Sequence, residues 1–341
     1  MSLSVAIKGA AKGPAKAMAR PRQAVIEHHL PPPFEFEAWL PDRLARLGPS
    51  VRASLYGVAG APVVVVLGGI SADRFPCIEP DGAKGWWPGL VGTGCAVDPR
   101  AYRILGIDFA ADEIGLMAPT SRDQAEVVLA ALDAIGIDRA HAVVGASYGG
   151  MTALALGQYF PQRSERLVVV SAGAAPHPAA TAIRELQRRV VALGLQSGTG
   201  AEALSIARGL AMLTYRTPAE FEARFAGGID GEAVLSPSEP GAYLKARGDA
   251  YRAVMSPQRF LSLSASIDRH KVDPEAIGLP TLVIGAQTDQ LVPAAQLSAL
   301  AERLGGPTEL HLLPSLYGHD MFLKDAGRLS ELVAPFLESA A

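Results

Sequence analysis

Ser147 stands in the run Gly145-Ala146-Ser147-Tyr148-Gly149, which fits the pattern Gly-x-Ser-x-Gly. A lone pattern of this kind is weak, so its surroundings decide what it means. The apolar segment His141–Val144 leads straight into it, and the helix-forming run Met151-Thr-Ala-Leu-Ala-Leu156 leaves it. Strand, sharp turn and helix together make a nucleophile elbow. The small flanking residues let the backbone cross closely, and the serine Oγ stands exposed above the sheet at a helix N-terminus. The alternative is an ordinary glycine-rich strand–helix turn.

A serine hydroxyl at its ordinary pKa is a poor nucleophile. It needs a base to take its proton and an acid to orient that base. After such an elbow the chain order is serine, then Asp or Glu, then His, each on a loop after a later strand. Asp289 follows the apolar run Thr281–Ile284, and His319 follows Leu310–Leu313. The other histidines compete poorly. His28 and His29 lie near the N-terminus, His141 and His311 within strand-like runs, and His177 and His270 in or beside a helical block. His177 is the strongest rival, but it precedes Asp289 in the chain. Asp268 and Asp273 border the helical block, and neither follows a strand. The oxyanion hole is expected to use the backbone N–H of Tyr148 and one from Leu67-Gly68-Gly69-Ile70-Ser71, supplied by Gly69 or Ile70.

Holding these residues together requires a sheet. Short apolar runs recur at Val63–Leu67, Arg103–Ile107, Ala142–Val144, Leu167–Val170, Thr281–Ile284 and Glu309–Leu313. Most are continuous rather than alternating, as in strands covered on both faces. Helical periodicity fills Asp123–Ile135, Gly150–Tyr159 and Ala294–Leu304. This alternation predicts an α/β fold with a mostly parallel sheet. From Ala174 to Asp273 no strand is expected. Four segments there have helical spacing, Ala182–Leu193, Ala201–Leu213, Pro218–Phe225 and Ser256–Arg269. The expected division is therefore a core of 34–173 and 274–341 with an inserted helical cap of 174–273, which shapes the pocket and excludes water. Residues 1–33 read as a basic, acid-poor arm, mobile or a transit peptide.

Composition sets the outer limits. The chain has 341 residues, 49% hydrophobic and 19% charged, which suffices for a large core. A net charge of −3 argues against a nucleic-acid binder. Two cysteines, Cys77 and Cys95, exclude a disulfide framework and any Cys-rich metal site. No apolar run is long enough to span a membrane. A cytoplasmic protein with no metal and no prosthetic group is expected.

Several stretches resemble the homoserine O-acyltransferases of the α/β-hydrolase superfamily, and the likeness runs from about residue 50 onward. They are Gly85-Trp86-Trp87-Pro88 through Gly94 with Ala96-Val97-Asp98, the elbow Gly145–Met151, and Tyr243-Leu244 with Gly248-Asp249. Two late loops complete them, Asp289-Gln-Leu-Val-Pro293 and Gly318-His319-Asp320. The resemblance implies ping-pong transfer of an acetyl or succinyl group from acyl-CoA, through Ser147, to the hydroxyl of L-homoserine. Acyl-CoA is then a co-substrate. It implies that Asp320 holds the amino-acid ammonium group, where the alternative is a helix cap. It also implies that an arginine of the first cap helix holds the carboxylate. Arg188 fits that position best, Arg189 is its neighbour, and the alternative is a solvated basic face. A homodimer is implied as well. The elbow departs from the family at Ala146, Tyr148 and Thr152, and Asp73-Arg74 stands where small residues and His are usual. Arg74 is a candidate for pairing with a succinyl carboxylate or a CoA phosphate, or for sitting in solvent. The competing functions are a serine O-acyltransferase, an esterase or thioesterase using water, and a non-catalytic binding module.

Overall fold

The apolar runs become the inner strands of an eight-stranded sheet in the computed structural model, which describes residues 32–78, 81–114, 116–229 and 231–339. In chain order the strands are β1 (Phe34–Trp39), β2 (Ser50–Tyr56), β3 (Val63–Leu67), β4 (Arg103–Ile107), β5 (Ala142–Ala146), β6 (Leu167–Val170), β7 (Thr281–Ala286) and β8 (Thr308–Leu313). Their spatial order is β1-β2-β4-β3-β5-β6-β7-β8. The pairs from β4 through β8 are parallel; β1–β2 and β2–β4 are antiparallel. Strands β3, β5, β6 and β7 are buried along their whole length, which explains their unbroken apolar sequence.

The two antiparallel strands were not expected. β1 reads Phe34-Glu-Phe-Glu-Ala-Trp39 and lies at the sheet edge, where only Ala38 is buried. Alternating apolar and charged residues suit an edge strand, but so short a run carries little signal. The basic arm expected over residues 1–33 falls almost wholly outside the described residues.

Helices α1 (Ser121–Ala134), α2 (Tyr148–Tyr159), α8 (Ala294–Arg303) and α10 (Ala326–Glu338) accompany the sheet, and the one-turn α9 (Met321–Lys324) precedes α10. α1 begins at a reciprocal cap in which Thr120 Oγ1 accepts from the Asp123 N–H and Asp123 accepts from the Thr120 N–H.

Between β6 and β7 the described residues hold five α-helices and no strand. These are α3 (Pro178–Gln196), α4 (Gly200–Tyr215), α5 (Pro218–Arg224), α6 (Glu239–Tyr251) and α7 (Pro257–Asp268). Thr217, Ser238 and Ser256 cap α5, α6 and α7, each followed by proline in the first turn. α3 packs on α4 and α7, and α4 packs on α6 and on the turn Gly318–Asp320. The segment Tyr243-Leu244 and Gly248-Asp249 lies on α6. There Asp249 accepts from Ser205 Oγ of α4 at 2.9 Å. Gly248 lies so close to the Ser205 carbonyl that a Cβ would overlap it. Helix α6 was not expected as a helix, and its glycines and sparse apolar residues give the reason.

This packing sets up a contrast between two glycines. Gly248→Ala must push α6 away from α4 and is expected to lower stability by about 1–3 kcal/mol, read as a lower urea midpoint. Gly209→Ala on α4 meets only ordinary contact with Leu244 at 3.7 Å, so it is expected to be neutral or to raise the midpoint.

Candidate active site

Ser147, Asp289, His319 and the Gly69–Ile70 loop all stand at the carboxyl ends of parallel strands, after β5, β7, β8 and β3. That sheet edge is where open α/β folds place their sites. Ser147 has φ 54° and ψ −116°, a left-handed conformation that is strained for a residue with a side chain. Neighbouring backbone fixes it there. Its N–H donates to the Val170 carbonyl at 2.8 Å, and its carbonyl accepts from the Met151 N–H at 3.1 Å. The Gly149 N–H donates to the Gly68 carbonyl at 2.8 Å. Any Cβ on Gly145 would overlap the Gly149 carbonyl, and any Cβ on Gly149 would overlap that of Leu67. The two glycines of the pattern are therefore required by the crossing of β5, β3 and α2.

The three residues read as nucleophile, base and orienting acid meet in space. His319 Nε2 lies 2.9 Å from Ser147 Oγ, and His319 Nδ1 lies 2.7 Å from Asp289 Oδ2. Asp289 is held in turn by the N–H groups of Leu291 (2.8 Å) and Val292 (3.0 Å), both donating to Oδ1. Asp289 and His319 are both buried. Burial alone would lower the His319 pKa. The charge and hydrogen bond of Asp289, with Asp320 adding to them, outweigh burial and raise it above the ordinary imidazole value. Tyr215 and Phe322 flank the imidazole, with ring centroids 5.8 and 6.0 Å away. The arrangement can deprotonate Ser147 and return the proton to a leaving group.

The Tyr148 side chain takes no part in the cavity. It is fully buried, bonds Ser266 Oγ and packs edge-on against Phe109 at 4.8 Å. Its backbone N–H opens α2, so the helix itself gives it no acceptor. Gly69 and Ile70 line the cavity beside Ser147, so both remain candidates for the second oxyanion donor.

Two cavities flank Ser147 and His319. The larger, about 160 Å³, is lined by Gly69, Ile70, Trp86, Arg208, Tyr215 and Asp320 among others. The smaller, about 50 Å³, is lined by residues of the helical insertion, including His177, Arg184 and Gln187. The Trp-Trp stretch builds the wall of the larger one. Trp87 is fully buried, donates to the Phe322 carbonyl at 2.8 Å and stacks on Trp86 at 5.0 Å.

Asp320 lines the larger cavity and makes no helix-capping bond. Arg216 Nε approaches its Oδ2 at 3.4 Å, as an ion pair too poorly aligned for a hydrogen bond, and Arg216 is already bonded to Glu220 at 2.7 Å. Asp320 therefore keeps acceptor capacity toward the cavity.

Two expected substrate contacts are corrected. Arg188 does not line either cavity. Its guanidinium bonds Asp268 Oδ2 at 2.6 Å and the Ser264 carbonyl at 3.1 Å, so it ties α3 to α7. Arg74 is likewise committed. It bonds Glu35 of β1 at 2.6 Å and Asp108 at 3.1 Å, and it lies over the Phe75 ring. That partly buried cluster fastens the loop after β3 to the sheet edge, and Arg74 lines neither cavity.

The cation that does face the larger cavity is Arg208 of α4. It lies over the rings of Tyr251 (4.7 Å) and Tyr215 (5.3 Å), and no carboxylate among the described residues pairs with it. Sequence reasoning missed it. The available signal was a single charge in the apolar helical run Ala203-Leu-Ser-Ile-Ala-Arg208-Gly-Leu-Ala-Met-Leu213.

The remaining histidines have other work. His141 bridges Glu165 and the Leu337 carbonyl, and His311 lies beside Glu309. His270 bonds Ser121 and the Gly173 carbonyl, with burial lowering its pKa to about 4. His177 lines the smaller cavity without bonding Ser147. His28 and His29 lie outside the described residues. Among the described residues no group of three or more His, Cys, Asp or Glu could hold a metal ion, and no helix is long and apolar enough to cross a membrane.

Comparison with known proteins agrees with this geometry. The family model described as alpha/beta hydrolase fold matches residues 62–326. A homoserine O-succinyltransferase of Xanthomonas campestris pv. campestris is 42% identical, covering 85% of this chain and 79% of its own. A homoserine O-acetyltransferase of Thermus thermophilus is 30% identical, covering 77% of this chain and 74% of its own. The solved structure of esterase E22 L374D superposes with a TM-score of 0.78 at 20% identity, over 90% of this chain and 99% of that one, a likeness of fold alone. The chain thus belongs to the alpha/beta hydrolase fold family and, within it, to the homoserine O-acyltransferases.

Proposed function

We propose that the protein transfers an acyl group, acetyl or succinyl, from acyl-CoA to the hydroxyl of L-homoserine through an acyl-Ser147 intermediate. The observation that carries this reading is the pair of opposite charges, Arg208 and Asp320, in one cavity with Ser147. An α-amino acid presents a carboxylate and an ammonium group. Arg208 receives the first and Asp320 the second, which leaves the side-chain hydroxyl to approach the acyl carbon. A water-using esterase needs no such pair.

The chemistry runs in two halves. Ser147 Oγ attacks the thioester carbonyl as its proton passes to His319 Nε2. The carbon–sulfur bond then breaks, and the CoA sulfur leaves with that proton. In the second half the acceptor hydroxyl gives its proton to His319 and attacks the acyl ester, and Ser147 Oγ departs and recovers the proton. Asp289 holds the imidazole in the tautomer with its proton on Nδ1. The N–H of Tyr148, with one from Gly69 or Ile70, receives the oxyanion. The aromatic walls and the helical insertion keep water from competing for the acyl group. No metal or prosthetic group is required by these steps. Serine differs from homoserine by one methylene, which a pocket distinguishes by only about 1–3 kcal/mol.

The implied homodimer fits the outer face of the helical insertion, where Leu186 and Leu193 of α3 and Ile206, Leu210 and Leu213 of α4 are exposed. A chain that sediments as a monomer at micromolar concentration would remove this part of the reading.

The direct test is thiol release from acetyl-CoA and succinyl-CoA, each with and without L-homoserine or L-serine. Sustained release should require the amino acid, with homoserine preferred. Release that ignores the amino acid would make the enzyme a thioesterase instead. Ser147→Ala should lower the rate by about 10⁴-fold or more. Arg208→Leu and Asp320→Ala should each lower kcat/KM for homoserine roughly 30- to 1000-fold while a first burst of thiol remains.

The pH dependence follows from His319, which works as a neutral base. Its raised pKa places the acid limb of kcat/KM above the ordinary imidazole value of about 6.5. Activity should therefore be lost, as pH falls, earlier than an unperturbed histidine would allow. Asp289→Asn removes the charge that raises it, so any residual activity should show the limb at lower pH.

A further inference from the structure

The smaller cavity lacks the Arg208 and Asp320 pair. It adjoins Ser147 and His319, Asp320 is not among its lining residues, and helix α3 forms one of its walls. Three polar side chains from the start of α3 face it, and each has unused hydrogen-bonding capacity. Gln187 is 4% exposed and has no side-chain hydrogen bond among the described residues. His177 Nδ1 is buried and has no partner among the described residues. Arg184 bonds Asp268 through Nε (2.9 Å) and Nη2 (2.6 Å), while its Nη1 bonds nothing among the described residues. Asp268 is shared with Arg188, so one carboxylate faces two guanidinium groups and the cluster carries surplus positive charge. The rest of the lining is largely apolar, including Met151, Ala180, Ile183, Ile267, Leu291 and Val292.

Unpartnered buried polar groups are costly unless a ligand completes them. Here the missing partner is an acceptor with negative charge, carried on a short apolar stem that starts at Ser147. The cavity's 50 Å³ holds roughly four water-sized groups. An acetyl group would send one methyl into it and leave the three polar groups unanswered. We propose that this cavity binds the distal carboxylate of a four-carbon dicarboxylic acyl group, with Arg184, Gln187 and His177 as its donors, so that the enzyme selects succinyl over acetyl donors. This rests on the acyl transfer proposed above and names its donor. The two ethylene carbons lie along the apolar lining. The carboxylate meets Arg184 Nη1, the Gln187 amide, and His177 with its proton on Nδ1. The charge that sequence reasoning sought at Arg74 is thus supplied from the helical insertion.

The test compares kcat/KM for succinyl-CoA and acetyl-CoA at saturating L-homoserine, in the full chain and in variants. The full chain should favour succinyl-CoA by at least about 100-fold, because a site built to bond a polar group rejects the analogue that lacks it. Arg184→Leu should lower the succinyl-to-acetyl ratio at least tenfold. Should that variant fail to fold for want of the Asp268 pair, Gln187→Leu and His177→Leu keep the pair intact and should lower the same ratio. Using a ratio cancels any general loss of active enzyme. A full chain that favours acetyl-CoA, or a ratio that none of the variants moves, would overturn the assignment and leave homoserine acylation standing. Absence of homoserine-dependent thiol release from both donors would overturn both.

Discussion

Everything at this site depends on holding Ser147 in a backbone conformation that a serine would not adopt unaided. Such a residue costs on the order of 1–3 kcal/mol and persists only where its surroundings over-determine it. Here β5, β3 and the first turn of α2 cross so closely that Gly145 and Gly149 leave no room for a side chain. The backbone hydrogen bonds to Val170 and Gly68 then lock the crossing. Once Ser147 is fixed, its Oγ stands where His319, delivered by the loop after β8, can reach it. The parallel sheet contributes by delivering the loops after β3, β5, β7 and β8 to one edge.

Charge is partitioned around that fixed point. On one side Arg208 and Asp320 offer a positive and a negative group to the same cavity. On the other, Arg184 supplies positive charge, and His177 and Gln187 add polar groups. Other cations near the site are spent on structure. Arg188 ties two helices of the insertion together, Arg216 pairs with Glu220, and Arg74 fastens the loop after β3 to the edge strand β1. Arg208, by contrast, has no carboxylate partner among the described residues. His319 is subject to the same logic, since burial and neighbouring carboxylates pull its pKa in opposite directions and the carboxylates prevail.

The helical insertion serves both sides. Its α4 carries Arg208 to the larger cavity and Tyr215 to both, and its α3 carries Arg184 and Gln187 to the smaller. Esterase E22 L374D shares the overall architecture at 20% identity, which shows how little the fold alone specifies about the acceptor.

The sequence by itself determined the parts that are local. Continuous apolar runs marked the buried parallel strands, because burial on both faces admits little else. The glycines of the elbow and the loops after the late strands marked Ser147, Asp289 and His319, because each is fixed by its own strand end. The antiparallel strands β1 and β2 and helix α6 were hard to read, since exposure dilutes the periodicity of β1 and glycine that of α6. The tertiary structure alone decided the ownership of charge. Arg188 finds Asp268 across 80 residues of chain, and Arg74 finds Glu35 across 39. Local sequence gives no sign of these partners, nor that Arg208 remains without a carboxylate partner among the described residues. A pairing made by folding is invisible to spacing, because the distance that governs Coulomb energy lies through space and not along the chain.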